Sequence, residues 1–296
     1  MKIKYSNNEH VFNIHEEAVP FLSFDMLDRL GVPNLYTTRY VSYDPGTDIG
    51  EKGLRLALMS GEDWEEAKPV LFRNMKAVAE QLGVSLDREC ITFQKHTVNV
   101  HKVSEEDLGF DNMSGREVPV DGLITDIPGV LLIAYGGDCP PVYIVDPVRK
   151  AIGLVHAGWR GTLGKIPAVA IEKMQKEFGC RPEDMHAAVG IGICADCYEM
   201  GDEIFDLFAE NWSCEDAEHL MKRYPAKDAN GEPIEGGKYH LDLMEANRLT
   251  LLRAGVPAEN IAVSNVCTCC NSDVFYSYRA HKLENEQQAM LVNRYE

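Results

Sequence analysis

Between residues 129 and 158 the chain carries three short apolar runs, GVLLIAYG, PVYIVD and AIGLVHAG, separated by the turn-forming pieces GDCP and PVRK. Runs of this length between Gly, Pro and Asp read as strands, and strands without a polar alternate face are covered on both sides. They are expected to lie side by side as adjacent buried strands, with PVYIVD and AIGLVHAG closed into a hairpin by the DPVRK turn. A chain built around such strands needs layers packed against both faces.

The flanking segments supply those layers. PVLFRNMKAVAEQLG (69–83) reads as a helix, with Pro69 in its first turn, an apolar stripe of Leu71, Met75, Val78 and Leu82, and Gly83 as its stop. TLGKIPAVAIEKMQKEFG, DEIFDLFAENW and LDLMEANRLTLLRAG read as further helices, with Pro167 limiting where the first becomes regular. ITFQKHTVNVHKV reads as strand and turn, and HAAVGIGI, NIAVSNV and DVFYSYR as strands. Residues 43–63 read as loop with one short strand, KRYPAKDANGEPIEGGKY (222–239) as a polar loop, and KLENEQQAMLVNRY (282–295) as a final helix. Strands and helices do not alternate strictly, so the expected class is α/β (α+β): a layered domain with mixed β-sheets flanked by helices, not a simple Rossmann fold. No linker divides the chain, and residues 1–296 are expected to form one domain.

A net charge of −18 argues against a general nucleic-acid surface, which needs clustered Lys and Arg, but permits a local cationic pocket for a small anion. No apolar run approaches the ~20 residues that span a bilayer. The opening MKIKYSNNEHVFNIHEE lacks the apolar core of a secretory signal. With nine cysteines and no such signal, reduced thiols or metal ligands are expected rather than disulfides, and the cytoplasm is the expected compartment.

His156 closes the third apolar run, in GLVHAGWRG, and Cys139 lies in GGDCPP before the second. Alone, each has an ordinary reading, as a core histidine or a buried thiol. A hairpin between the two runs places them at the same end of the ladder, where opposed Cβ atoms are about 5 Å apart, within reach of one metal ion. A one-residue slip would send the side chains to opposite faces. The third ligand is left open by the residues alone: His96, His101 and His240 are all candidates.

GGDCPPVYIVDP followed by GLVHAGWRG resembles the signature of the YfiH-type laccase-domain family. FQKH, DGLIT, GICADCYEMG, YHLDL, LLRAGV and the CT…FYSYR ending resemble further elements of that family, over roughly residues 35–282. The resemblance implies a YfiH-like α/β/β/α arrangement. It also implies one transition-metal ion, usually zinc with copper as the alternative, held by His96, Cys139 and His156. Three protein ligands leave one coordination position open, the arrangement of a catalytic zinc. It further implies roles for Arg160 and, in YTTR, Arg39 as holders of phosphate or another oxyanion, each otherwise a surface ion-pair residue. Asp138 and Asp121 become candidates to orient a ligand as hydrogen-bond acceptors, or strand-end caps. Asn74 matches an asparagine on the family's helix, with a helix-to-loop hydrogen bond as its ordinary role. Trp159 reads as a packing residue.

The implied activity is phosphorolysis of purine nucleosides, namely adenosine, inosine, guanosine or methylthioadenosine, to base and sugar 1-phosphate, with adenosine deamination alongside. The alternatives are an amidase editing a muramyl-peptide cell-wall precursor, a copper polyphenol oxidase, and a metal-binding protein without turnover. The oxidase fits less well, since no histidine-rich cluster is present to hold several coppers. Departures from the family pattern remove arginines: SYRR reads SYRA and the closing G-R element reads EQ. The early R-x-G-G-V-S turn reads RYVSYDPG, and ADC reads GDC. Finally, Cys194 and Cys197 form one CxxC and Cys267 and Cys270 another, with Cys269 between. Their separation of about 70 residues exceeds the ~15–20 of ribbon-type zinc sites, and a four-cysteine site is not a feature of the family, so a second metal site is not expected.

Overall fold

The computed structural model describes residues 1–16, 19–39, 54, 56, 63–110, 118–227, 233–282 and 287–295. Its strands begin with β1 (Phe12–His15), β2 (Phe21–Phe24), β3 (Asn34–Thr37), β4 (Glu89–Ile91), β5 (Val100–Lys102), β6 (Gly122–Thr125), β7 (Leu131–Gly136) and β8 (Pro141–Asp146). They continue with β9 (Ala151–His156), β10 (His186–Val189), β11 (Glu199–Met200), β12 (Met221–Lys227), β13 (Pro233–Leu241), β14 (Ile261–Val263) and β15 (Gln287–Val292). Two six-stranded sheets are ordered β1-β2-β3-β15-β7-β4 and β14-β10-β8-β9-β6-β5, and a small third sheet is ordered β11-β13-β12. Both large sheets are mixed: β4 runs parallel to β7, β10 to β14 and β5 to β6, while the other pairs are antiparallel.

Strand periodicity explains the layering, because successive side chains point to opposite faces. Leu132 and Ala134 of β7 meet Tyr143 and Val145 of β8 in a core between the two sheets. The alternate residues Leu131 and Ile133 face the helix Trp64–Gln81, through Leu71, Met75 and Val78. Val142 and Ile144 of β8 face the other way, onto Ala170, Ile171 and Met174 of the helix Ile166–Phe178 and Leu251 of the helix Leu243–Arg253. The order is helix, sheet, sheet, helix. Each buried Leu or Ile in these layers contributes about 1.5–3 kcal/mol. A further cluster, with Phe208, Leu220 and Leu241, lies around the third sheet. Among the described residues no helix is long and apolar enough to cross a membrane.

Several segments differ from their sequence-based reading. The three central runs are not all neighbours in one sheet: β7 belongs to the first sheet, β8 and β9 to the second. The chain crosses between layers through residues 137–140, and this crossing carries Cys139. The β8–β9 hairpin forms, but Pro141 is the residue opposite His156, so Cys139 lies just beyond the ladder's end rather than directly across from His156. The helix read at 69–83 starts at Trp64, leaving Pro69 inside it. Asp63 caps that earlier start by accepting from the Glu65 and Glu66 amides, and Trp64 stacks on Phe110 at 5.6 Å. The segment 162–179 is interrupted at Lys165, whose φ is 59°, giving two helices, Trp159–Leu163 and Ile166–Phe178.

The polar segment 222–239 forms most of the β12–β13 hairpin. DVFYSYR is turn and the start of a short helix, Tyr278–His281, with Ser277 as its cap. The expected C-terminal helix is instead strand β15, inserted between β3 and β7. There its backbone is paired on both sides and Ala289, Met290 and Leu291 are buried; a helix would leave the facing edges of β3 and β7 unpaired. The loop-and-strand reading of 43–63 falls almost entirely outside the described residues.

Candidate metal centre

Three elements that are distant in sequence meet at the end of the second sheet. His96 lies on the loop between β4 and β5, Cys139 on the crossing between sheets, and His156 at the last position of β9. Their ligand atoms all lie within 4.8 Å of one another. Cys139 Sγ is 3.9 Å from His96 Nε2, and the two imidazole rings stand nearly perpendicular at 4.9 Å between centroids. A tetrahedral zinc with Zn–N and Zn–S bonds near 2.1 and 2.3 Å separates N and S ligands by about 3.6 Å. The donor set and its spacing therefore fit an ion of the zinc or copper class. His101 and His240 are engaged elsewhere, on Asp107 and on the Ala195 carbonyl, each at 2.9 Å.

Asp121 organises this convergence. It is fully buried next to β6, and its carbonyl accepts the His156 amide at 2.7 Å. Its Oδ1 accepts from His156 Nδ1 and the His96 amide, both at 2.9 Å. Its Oδ2 accepts from the Lys95 amide at 3.1 Å and from the Thr97 amide and hydroxyl at 2.8 Å. A carboxylate on Nδ1 fixes the tautomer and leaves Nε2 of His156 as the atom free to bind a metal. The same carboxylate gathers three consecutive amides, which holds His96 in the left-handed region at φ 59°.

Burial by itself would raise the Asp121 pKa. The His156 ring and the Thr97 and Lys95 donors outweigh it and hold the carboxyl down at about 2. Cys139 and His156 form a coupled pair. Burial opposes charge on each, yet the imidazole lowers the thiol, and the thiolate together with Asp121 raises the imidazole. The pocket thus favours a thiolate, the form that binds metal.

Gly158 is required by the closeness of the site. A Cβ there would lie 2.7 Å from His96 Cδ2 and 2.9 Å from Cys139 Sγ. Trp159 and Arg160 follow at the start of a helix, with Trp159 half-buried against the third-sheet cluster. The Arg160 guanidinium stacks over the Trp159 ring at 4.2 Å, is exposed, and has no hydrogen bond or ion pair among the described residues.

Other residues singled out by sequence fall less close to the three. Asp138 accepts from the Thr268 hydroxyl at 2.6 Å and the Arg279 amide at 2.7 Å, and has a φ of 127°. It braces the turn carrying Cys139 and touches neither histidine. Arg39 donates to the Ser272 carbonyl at 3.0 Å and lies over the Tyr276 ring at 5.1 Å. Asn74 is buried on the helix Trp64–Gln81.

Two residues near the centre were not singled out. Burial pushes the Tyr198 hydroxyl up; the charges of Cys139 and Asp138 add to this, and those of Arg279 and Arg160 oppose it. Arg279 lies 5.5 Å over the Tyr198 ring. Both belong to segments quoted above, CYEMG and FYSYR, where their positions were the available signal. The two CxxC pairs also converge, contrary to expectation: the sulfurs of Cys194, Cys197, Cys267 and Cys270 lie within 4.8 Å of one another.

The profile of the family described as "Multi-copper polyphenol oxidoreductase laccase" matches residues 54–294. The protein named Purine nucleoside phosphorylase YlmD, from Geobacillus stearothermophilus, is 35% identical over 245 residues, covering 82% of this chain and 84% of the relative. Adenosine deaminase RL5, from an unknown prokaryotic organism, is 36% identical over 205 residues, covering 68% of this chain and 73% of the relative. The crystal structure of YlmD from Geobacillus stearothermophilus superposes with a TM-score of 0.77 at 30% identity, covering 97% of this chain and 100% of that one. The Bacillus licheniformis protein YfiH gives the same TM-score at 27% identity, covering 94% of this chain and 98% of that one.

Proposed function

The chain belongs to the multi-copper polyphenol oxidoreductase laccase family, and from that premise we propose that it is a metal-dependent purine nucleoside phosphorylase. One observation carries the reading: His96, Cys139 and His156 converge, with His156 backed by Asp121, and the chain continues from His156 to an exposed guanidinium, Arg160, that stacks on Trp159 but makes no hydrogen bond or ion pair among the described residues. The names of its relatives, a purine nucleoside phosphorylase and an adenosine deaminase, support nucleosides and phosphate as substrates, and adenosine deamination as a second activity.

Zinc is the proposed ion, with copper distinguishable by metal analysis. A bound ion would supply Lewis-acid polarisation at its open coordination position. The protein's own groups do the rest. Arg160 holds the phosphate whose oxygen replaces the purine nitrogen at the anomeric carbon. It is the stronger anion ligand, because Arg39 already spends Nη1 on the Ser272 carbonyl. Tyr198, kept protonated by burial, offers a hydrogen-bond donor to the anion or the departing base. Asp121 and Asp138 position the ligands, with Asn74 assigned a structural role on its helix.

Residues 1–296 are proposed to act as one domain, since Phe12 and Leu291, from opposite ends of the chain, share the inter-sheet core. The free cysteines favour a reducing compartment, the cytoplasm.

The test is an assay of metal-loaded protein with adenosine, inosine, guanosine and methylthioadenosine, with and without phosphate. Base and sugar 1-phosphate released only with phosphate, and lost in His156→Ala, support the reading. Base release indifferent to phosphate, or undiminished in that variant, refutes it.

A further inference from the structure

Cys194 and Cys197 lie on the loop that enters β11, and Cys267 and Cys270 on the loop that follows β14. Cys270 Sγ is 3.6 Å from Cys197 Sγ and 4.0 Å from Cys194 Sγ. Four thiolates at Zn–S distances near 2.3 Å stand about 3.8 Å apart at the corners of a tetrahedron. A disulfide needs about 2.05 Å, and all four cysteines are free. The spacing is that of a shared ion.

The backbone around the sulfurs has the form such an ion requires. The Cys194 and Cys270 amides both point at Cys267 Sγ, at 3.2 and 3.4 Å. Two amide donors on one sulfur stabilise thiolate charge. Lys4 Nζ lies 3.2 Å from the Cys270 carbonyl, placing a cation beside a cluster that four thiolates would make strongly negative. By contrast, direct backbone pairing between the two loops is sparse: an isolated bridge of Gly192 with Cys267, carrying a 3.0 Å bond from the Thr268 amide to the Gly192 carbonyl.

We infer that Cys194, Cys197, Cys267 and Cys270 bind one zinc ion in a closed tetrathiolate site, separate from the His96–Cys139–His156 centre. With four protein ligands no coordination position remains for substrate, so the site is structural. Its place in the fold gives it a purpose. Ile193, next to Cys194, donates its amide to the Asp138 carbonyl at 2.8 Å, and Thr268, next to Cys267, donates its hydroxyl to Asp138 Oδ1 at 2.6 Å. Asp138 precedes Cys139. The ion therefore staples together the two loops that hold the strained residue positioning Cys139.

The experiment is a metal count on the whole protein purified without chelator, and it does not depend on any nucleoside activity. The expected ratio is two zinc per chain, falling to one in Cys194→Ser/Cys270→Ser and also to one in Cys139→Ser. Cobalt exchanged into the protein is expected to give a tetrathiolate absorption that survives Cys139→Ser and is lost in the double variant, which also unfolds at a lower Tm. Should the double variant fail to fold, alkylation of the native protein decides: these four thiols are protected until a chelator is added. A ratio unaffected by the double substitution, immediate alkylation of all four, or disulfides among them in anaerobically prepared protein would overturn the inference. Iron in the site would overturn its assignment to zinc.

Discussion

Replacing Asp121 by asparagine tests the proposed organisation of the metal centre most directly. The carboxylate accepts five hydrogen bonds, two on Oδ1 and three on Oδ2. An asparagine can present its oxygen to only one of these sets. The cheaper orientation keeps the oxygen on His156 and His96, and turns the amide nitrogen toward the Lys95 and Thr97 amides, while the Thr97 hydroxyl rotates to accept. Two charge-assisted bonds from half-buried amides are then lost, each worth about 1.5–3 kcal/mol. The expected destabilisation is on the order of 3–6 kcal/mol. The bond that orients His156 survives but its acceptor is now neutral, and mutation of such a partner lowers metal affinity ~10–100-fold. Urea unfolding measures the first quantity and chelator competition the second. A variant that keeps its stability within about 0.5 kcal/mol and its metal affinity unchanged would refute the role given to Asp121.

Gly158→Ala should fold but bind metal more weakly at this centre, because its Cβ meets His96 and Cys139 at 2.7 and 2.9 Å; metal content at limiting zinc checks this, with full occupancy as the contrary result. Arg160→Ala should raise KM for phosphate ~10–100-fold, the worth of one charge-assisted hydrogen bond, while metal content stays the same. Glu89 governs a pH effect on stability. Burial, with the Asp87 charge adding, pushes its carboxyl up to about 8 from 4.5, and neither oxygen has a hydrogen-bond partner among the described residues. A folded-state pKa above the unfolded one means that its contribution is fully present below pH 4.5 and is lost as pH rises to about 8. The loss is on the order of 3–5 kcal/mol, and Glu89→Gln should flatten that part of the stability profile. An identical pH profile in the variant would contradict this.

The legible parts of the chain were those whose signal is local. Leu71, Met75 and Val78 mark a helix by their spacing, and PVYIVD and AIGLVHAG mark a hairpin by their composition and the turn between them; both are found. Arg160 was legible through the family resemblance of GLVHAGWRG, whereas the need for glycine at 158 shows only in its closeness to His96 and Cys139. Less legible were segments whose structure is imposed by distant partners. QQAMLV has no strong strand pattern, yet it is a strand because β3 and β7 flank it. The segment 222–239 looks like loop, because the hairpin it forms is polar and stands on a small sheet. Tyr198 and Arg279 were overlooked because neither residue type is distinctive until the fold sets it beside Cys139.

The sequence alone determined the kinds of group available: two imidazoles, a thiol and an arginine in recognisable surroundings, and apolar runs that demand cover on both faces. Tertiary structure decided which of these groups meet. It placed His96, rather than His101 or His240, next to Cys139 and His156 by gathering its loop onto Asp121, and put β7 and β8 in different sheets so that Cys139 falls on the crossing between them. It also brought together two cysteine pairs whose separation had argued against a common site. The reason is physical: side-chain chemistry and local periodicity are properties of neighbouring residues, whereas strand partners and ligand sets depend on hydrogen bonds and packing between segments remote along the chain, which nothing short of the folded arrangement specifies.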